Sequence, residues 1–160
     1  MLAYQNLYID GAWQQPAGPG LIDVLSASTE EVIGAVPEGR PEDVNAAVAA
    51  AQKAFQGGWG DTTVEERAQW IDKLAAGLKE RAERVASTIA QEVGSPLSMA
   101  TSIQAGLPVA VTQSYAKLIR EAKLEHEIGN SLVVREPIGV VAAITPWNYP
   151  LHQIVLKVGA

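Results

Sequence analysis

The stretch IGVVAAITPWNYPL, residues 138–151, carries the clearest structural pattern in this chain. Val140 to Ile144 is an apolar run that stops at Thr145-Pro146, and the amide side chain of Asn148 follows shortly after. A run that is apolar at every position is typical of a strand buried on both faces, as parallel strands of α/β sheets are. Such sheets bind ligands beyond the carboxyl ends of their strands. The stretch therefore predicts a parallel strand that presents one polar side chain at the mouth of a site.

The residues after Pro150 continue the pattern as a helix. Leu151, Ile154, Val155 and Val158 recur at the spacing of an amphipathic helix. A parallel strand is joined to its neighbour by a crossover, usually a helix, and the neighbour is needed to cover it. The chain stops about two and a half turns into that crossover. We therefore expect a truncated α/β unit at the C-terminal end.

The residues before this unit predict hairpins, then helices. The Asp10-Gly11 dipeptide is a strong hairpin signal. Residues 23–27 and 32–36 have the composition of two further strands, with polar residues between them. The sequence thus predicts two hairpins near the N-terminus.

Capping residues mark the helices that follow. Pro41 suits the first turn of a helix, and Gly57-Gly58 ends it. Thr63 and Glu66 form the capping-box pattern, which opens a helical stretch of one or two helices that stops at residues 94–96. These signals predict a helical body in the middle of the chain.

The segment between this body and residues 138–151 holds one more helix and one more strand. Residues 97–123 are rich in small side chains and predict a closely packed helix that bends at Pro108. Residues 128–134 predict a strand, joined through residues 135–137 to the strand at residues 138–144. We divide the chain into an N-terminal portion, residues 1–137, and the start of a strand-helix unit, residues 138–160.

Composition excludes several classes of function. The 160 residues carry a net charge of −6 and include no cysteine. An acidic chain lacks the basic face that nucleic acids or anionic membranes require. The absence of cysteine excludes disulfides, thiolate metal sites and a cysteine nucleophile within these residues. The two histidines have no neighbouring partners that would complete a metal site.

The hydropathy pattern predicts neither a secretory signal nor a membrane span. The first residues lack a basic segment and contain Asp10 early. The uncharged stretches at residues 94–116 and 137–156 are interrupted by prolines and polar residues, whereas a spanning helix needs about 20 predominantly apolar residues. We expect a cytoplasmic protein.

Several segments together resemble the aldehyde dehydrogenase superfamily. The densest match is EPIGVVAAITPWNYPLHQIVLK, residues 136–157. Residues 41–48 resemble the family's first helix, and Trp59, Arg67 and Leu74 are similar to the next element. The resemblance covers essentially the whole chain. It implies an α/β fold class, namely the N-terminal part of an aldehyde dehydrogenase-like fold: hairpins, helices and the first strand of a Rossmann-type cofactor domain.

The same resemblance implies an activity and a set of site residues. Family members oxidise an aldehyde to a carboxylic acid with NAD or NADP, and Asn148 matches the asparagine that donates to the oxyanion. The residues that match the lining of the cofactor cleft are Ile144, Thr145, Pro146 and Trp147. Those that match the aldehyde tunnel are Tyr149, His152 and Leu156, with Ile103 and Leu107 as further candidates.

Each of these residues also has a structural interpretation. Asn148 could cap the helix that begins near Pro150, because asparagine is a preferred helix cap. Trp147 and Tyr149 could be core aromatics. His152 lies at helical spacing among apolar residues and could be purely structural.

Three hypotheses for the function of the chain follow. The first is a piece of an NAD- or NADP-dependent aldehyde dehydrogenase, inactive alone because the family's cysteine, its general-base glutamate and its phosphate- and ribose-binding segment lie downstream of the asparagine. The second is a non-catalytic interaction module that binds a full-length relative or itself, since residues 128–134 resemble the part through which family subunits associate. The third is a frameshift or gene-model remnant.

Overall fold

Small β-sheets form the first quarter of the chain in the computed structural model, which describes the backbone of residues 2–160 and the side chains of residues 4–160. The strands are β1 (Leu2–Ala3), β2 (Leu7–Ile9), β3 (Ala12–Gln14), β4 (Leu21–Leu25) and β5 (Val32–Pro37). Strand β5 lies between β1, which is parallel to it, and β4, which is antiparallel. Strands β2 and β3 form a separate antiparallel pair.

Both predicted N-terminal hairpins are confirmed. Asp10 (φ 51°) and Gly11 (φ 76°) adopt the left-handed backbone that a two-residue hairpin turn requires. The Nζ atom of Lys53 lies 3.1 Å from the Asp10 carboxylate and connects this turn to the first helix. The second hairpin pairs β4 with β5.

The middle of the chain is helical. Its elements are α1 (Pro41–Ala54), a π-helical segment (Phe55–Trp59), α2 (Val64–Glu80), α3 (Ala82–Val93), α4 (Leu97–Met99), a second π-helical segment (Ala100–Gly106) and α5 (Leu107–Glu121). The capping box at the start of α2 is present, because the Thr63 N–H donates to Glu66 at 2.8 Å and the Glu66 N–H donates to Thr63 at 3.2 Å. Gly94 (φ 76°) ends α3 in the left-handed conformation.

The helical core consists of small side chains. Ala86 of α3, with Ala100 and Ala105 of the second π-helical segment, are each at most 1% exposed and pack together. Ala68 of α2 and Ala116 of α5 are equally buried where those two helices pack on each other. Alanine lets helix backbones approach closely, so the close packing predicted for residues 97–123 is confirmed.

The structure has an irregular helical segment next to Pro108, where the sequence predicts a bend. The irregular part of residues 97–123 is the π-helical segment Ala100–Gly106, which precedes the proline. Pro108 itself lies in the first turn of α5. Helical backbone continues from that segment into α5, and the Leu107 N–H donates to the Ser102 carbonyl oxygen, so Pro108, which has no N–H, lies within a continuous helical run.

A single strand over residues 128–134 is not formed, although most of these residues lie in strands. These residues belong to a hairpin of β6 (Glu125–Ile128) and β7 (Ser131–Val134), in which Ile128 pairs with Ser131. Gly129 (φ 59°) and Asn130 form the two-residue turn between them. A glycine at the first turn position allows the chain to reverse there.

The parallel strand predicted over residues 138–144 is also not formed. Residues 135–146 have no regular secondary structure, and the side chains of Ile138 and Ile144 are 94% and 84% exposed. A strand requires a neighbour for its backbone hydrogen bonds, and none pairs with this segment within residues 2–160. The amphipathic helix that was expected to follow is present as α6 (Pro150–Val158).

Candidate functional site

Asn148 lies in the loop that leads into α6, and its side chain is free. The residue is exposed, and within residues 2–160 its side-chain amide takes part in no hydrogen bond. The N-cap of α6 is Tyr149, whose side chain does not cap the helix, and Pro150 occupies the first turn. The interpretation of Asn148 as a helix cap is therefore wrong. Its amide remains available as a donor.

The backbone of Asn148, by contrast, is held by a hydrogen bond from a buried side chain. The side-chain amide of Gln104 donates to the Asn148 carbonyl oxygen at 3.2 Å and to the Ser95 hydroxyl at 3.2 Å. Gln104 is 1% exposed and lies in the second π-helical segment. The sequence prediction missed Gln104. Its one detectable signal was a long polar side chain in a run of small and apolar residues.

Helix α6 docks on the helical body through one face. Val155 is 2% exposed, and α6 packs against α5 and the second π-helical segment. Gly159, the residue after α6, packs tightly against Tyr115 of α5. A Cβ atom added at Gly159 would lie 3.1 Å from the Tyr115 ring. This docking fixes the position of α6 and thereby of the loop that carries Asn148.

The residues predicted for the aldehyde tunnel lie at the start of α6 and along it. Tyr149, His152 and Leu156 are all half-buried. The His152 Nδ1 atom is buried and has no hydrogen-bond partner within the described chain. Ile103 and Leu107 lie on the neighbouring segment and are 40% and 42% exposed. The structure thus brings two parts of the predicted tunnel to neighbouring elements.

The residues predicted for the cofactor cleft are not enclosed. Ile144 and Trp147 are 84% and 78% exposed, and Thr145 and Pro146 are exposed between them. Three cavities with volumes of about 490, 580 and 720 Å³ lie elsewhere, one beside α3 and two around α2 and the end of α5. The cleft residues share one loop but do not form a closed pocket.

The arrangement offers one kind of chemistry. An amide NH₂ donates hydrogen bonds and does not titrate, so the Asn148 side chain is a neutral donor of the kind that can bind a negatively charged oxygen. In the part of the chain that the structure describes, His, Asp and Glu side chains do not gather in groups that could hold a metal ion. No helix within residues 2–160 combines the length and apolar character that crossing a membrane requires.

Comparisons with known proteins identify the relatives of this chain. A sequence model described as the aldehyde dehydrogenase family matches residues 13–160. The chain is 36% identical to a 3-succinoylsemialdehyde-pyridine dehydrogenase from a Pseudomonas species, over 99% of this chain and 33% of that protein.

Solved structures are similar as well. A variant of aldehyde dehydrogenase C from Pseudomonas syringae, in complex with NAD⁺ and octanal, has a TM-score of 0.93 and 41% identity over 97% of this chain and 32% of that one. An aldehyde dehydrogenase from Bartonella henselae has a TM-score of 0.95 and 33% identity over 99% of this chain and 34% of that one. The chain therefore spans about a third of the length of the relatives that it matches. It belongs to the aldehyde dehydrogenase family, and its α/β architecture is that of the N-terminal part of the family fold.

Proposed function

We propose that the chain supplies the oxyanion donor of an NAD- or NADP-dependent aldehyde dehydrogenase, and that this donor is the side-chain amide of Asn148. The observation that carries the proposal is the contrast within this one residue. Its carbonyl accepts a hydrogen bond from buried Gln104, while its side-chain amide is unpaired within residues 2–160. A donor that is held in place but not yet used is what stabilisation of a developing charge needs.

The proposed chemistry assigns this chain one part of the reaction. When a nucleophile attacks an aldehyde, the carbonyl oxygen becomes an oxyanion, which the Asn148 amide would bind. The 160 residues contain no cysteine, so a thiolate nucleophile has to come from outside them. Ile144, Thr145, Pro146 and Trp147 would line the cofactor cleft, and Tyr149, His152 and Leu156 the aldehyde tunnel. The NAD⁺ bound in the Pseudomonas syringae structure supports a nicotinamide cofactor for the proposed reaction.

Association with another polypeptide is a second candidate function. The β6–β7 hairpin exposes Ile128, Leu132 and Val134 to between 46% and 61%. A two-stranded sheet with free edges and exposed apolar side chains favours pairing with another chain. Sedimentation of the chain alone and with a full-length relative tests this candidate. A monomer that binds neither itself nor the relative would exclude it.

The catalytic proposal can be tested in a fusion protein. Residues 1–160 are joined to the C-terminal two thirds of Pseudomonas syringae aldehyde dehydrogenase C. Asn148→Ala should lower kcat by about 10²–10³-fold and change the KM for NAD⁺ little, because the amide acts on charge that develops during the reaction. Asn45→Ala, an exposed asparagine on α1, is the matched control. An unchanged kcat in Asn148→Ala, where chemistry limits turnover, would contradict the proposal.

The isolated chain provides the complementary test. We expect the 160 residues alone to produce no aldehyde-dependent NADH or NADPH, because they contain no thiol nucleophile. Steady NADH formation that survives repurification and disappears in Asn148→Ala would contradict the placement of the nucleophile outside the chain.

A further inference from the structure

Gln104 is the largest fully buried side chain of the structure, and both of its amide hydrogens are used. It is 1% exposed, and its nitrogen donates to Ser95 Oγ and to the Asn148 carbonyl oxygen, each at 3.2 Å. Burying an amide is unfavourable unless its polar atoms are hydrogen-bonded. The hydrogen bonds to Ser95 and Asn148 are therefore the polar interactions that stabilise the buried Gln104 amide.

The two acceptors lie in two separate loops. Ser95 follows α3 and is nine residues from Gln104, whereas Asn148 precedes α6 and is 44 residues away. One side chain thus joins three segments of the chain. Its bond to Asn148 ends on the backbone and leaves the Asn148 side-chain amide unpaired within residues 2–160.

The orientation of the Gln104 amide follows from its acceptors. A backbone carbonyl oxygen can only accept, so the nitrogen of Gln104 has to face Asn148. The Gln104 oxygen is then left buried without a partner in the described part of the chain. Most buried side-chain amides in proteins have partners at both ends. In Gln104 the oxygen has no partner because the nitrogen is turned toward the Asn148 carbonyl.

Gln104 projects from a rigid base. It belongs to the π-helical segment Ala100–Gly106, and such wide turns occur frequently at functional sites. Its neighbours Ala100 and Ala105 are at most 1% exposed and pack on Ala86 of α3. A side chain supported in this way can hold the loop of Asn148 to within a fraction of an ångström, as an oxyanion donor requires.

We propose that Gln104 is the positioning residue for the oxyanion donor: by binding the Asn148 carbonyl, it orients the Asn148 side-chain amide. This inference rests on the function proposed above for Asn148. In this role Gln104 acts only through Asn148.

The first test is a double-mutant cycle in the fusion protein. Gln104→Met keeps the length of the side chain and removes both donors. It should lower kcat on the order of tenfold, because small misplacements of a catalytic group are costly, and leave both KM values within about twofold. In the Asn148→Ala background the same change should have no further effect, since the group it positions is gone.

Thr112→Val is the matched control for this cycle. Thr112 is 0% exposed, and its hydroxyl donates within its own helix to Pro108. The substitution should lower thermal stability and leave kcat unchanged in both backgrounds. If Asn148→Ala has no effect, the proposed function fails. If Asn148→Ala lowers kcat and the Gln104→Met effect multiplies with it or is absent, only the positioning role is overturned.

The second test needs no activity and uses the 160-residue chain itself. Hydrogen exchange of peptides covering residues 147–153 should be on the order of tenfold faster in Gln104→Met than in wild type, because the loop loses its anchor. Peptides from α2 should be unchanged, and Thr112→Val should not affect residues 147–153. Equal exchange of residues 147–153 in wild type and Gln104→Met would overturn the inference.

Discussion

Two uncharged segments of this chain differ in secondary structure and in burial. Residues 97–116 carry no charge and form helical structure that buries part of its side chains, with Thr112 and Ala116 at most 1% exposed. Residues 138–144 carry no charge either, yet they form no regular structure and leave Ile138 94% exposed. Apolar character alone therefore does not decide burial.

The difference lies in where each segment finds its hydrogen bonds. A helix satisfies its backbone within a few residues and needs only a surface to pack on, which α2 and α3 provide. A parallel strand needs a neighbour on the same sheet, and no strand pairs with residues 138–144 in the described part of the chain. The helical segment satisfies its backbone hydrogen bonds locally, whereas residues 138–144 depend on a neighbouring strand that the described residues do not provide.

Hydrogen exchange should show the largest contrast between the two segments. We expect amides of α5 around Thr112 to exchange about 10³-fold more slowly than those of residues 140–144, which lack hydrogen bonds within the described chain. Mass spectrometry of the 160-residue chain, with sedimentation to detect self-association, measures this. A monodisperse monomer with strongly protected amides in residues 140–144 would mean that the chain closes its own core.

A pair of matched substitutions should show the same contrast in stability. Val155→Ala should lower the free energy of unfolding by about 1–3 kcal/mol, because Val155 is 2% exposed between α6 and the helical body. Ile144→Ala should change it by less than about 0.5 kcal/mol, because Ile144 is 84% exposed. Urea unfolding followed by circular dichroism measures both. Equal losses would show that residues 138–144 are buried in solution.

Loss of a helix cap should have a smaller effect. Thr63→Ala removes the hydroxyl that accepts from the Glu66 N–H and should cost about 1 kcal/mol of stability. Thr88→Ala on the exposed side of α3 is the control, since Thr88 caps no helix and alanine has the higher helix propensity. A Thr63→Ala protein as stable as wild type would indicate that α2 does not depend on its capping box.

The pH dependence of the same cap should be the smallest effect. The Thr63 N–H and hydroxyl bind the Glu66 carboxylate and lower its pKa below the usual 4.5, and Arg120 with Gln69 lowers the pKa of Glu65. A lowered pKa in the folded state adds stability above pH 4.5 that is lost as the pH falls through the folded value. The difference in Tm between wild type and Glu66→Gln should therefore shrink below pH 4.5.

The control for this measurement is Glu127→Gln on β6, an exposed residue whose side chain makes no hydrogen bond within the described chain. A Glu66→Gln difference that stays constant between pH 3 and pH 7 would contradict the lowered pKa of Glu66.

Local signals in the sequence predicted most of the helices and turns correctly. Asp10-Gly11, Thr63 with Glu66, and Gly94 each specify a turn or a helix end through atoms that lie within a few residues. The resemblance to the family also predicted the fold class and placed Asn148 at the candidate site. The role of Asn148 stays a prediction that the fusion protein can test.

The features that the sequence prediction missed depend on residues that are far apart in the chain. The expected strand at residues 138–144 is missing because its hydrogen bonds have to come from another segment. Gln104 escaped the sequence prediction because its acceptor on Asn148 is 44 residues away. Sequence patterns report interactions within one or two turns of backbone. The role of the buried Gln104 amide depends instead on a distant loop, which folding brings within 3.2 Å of it.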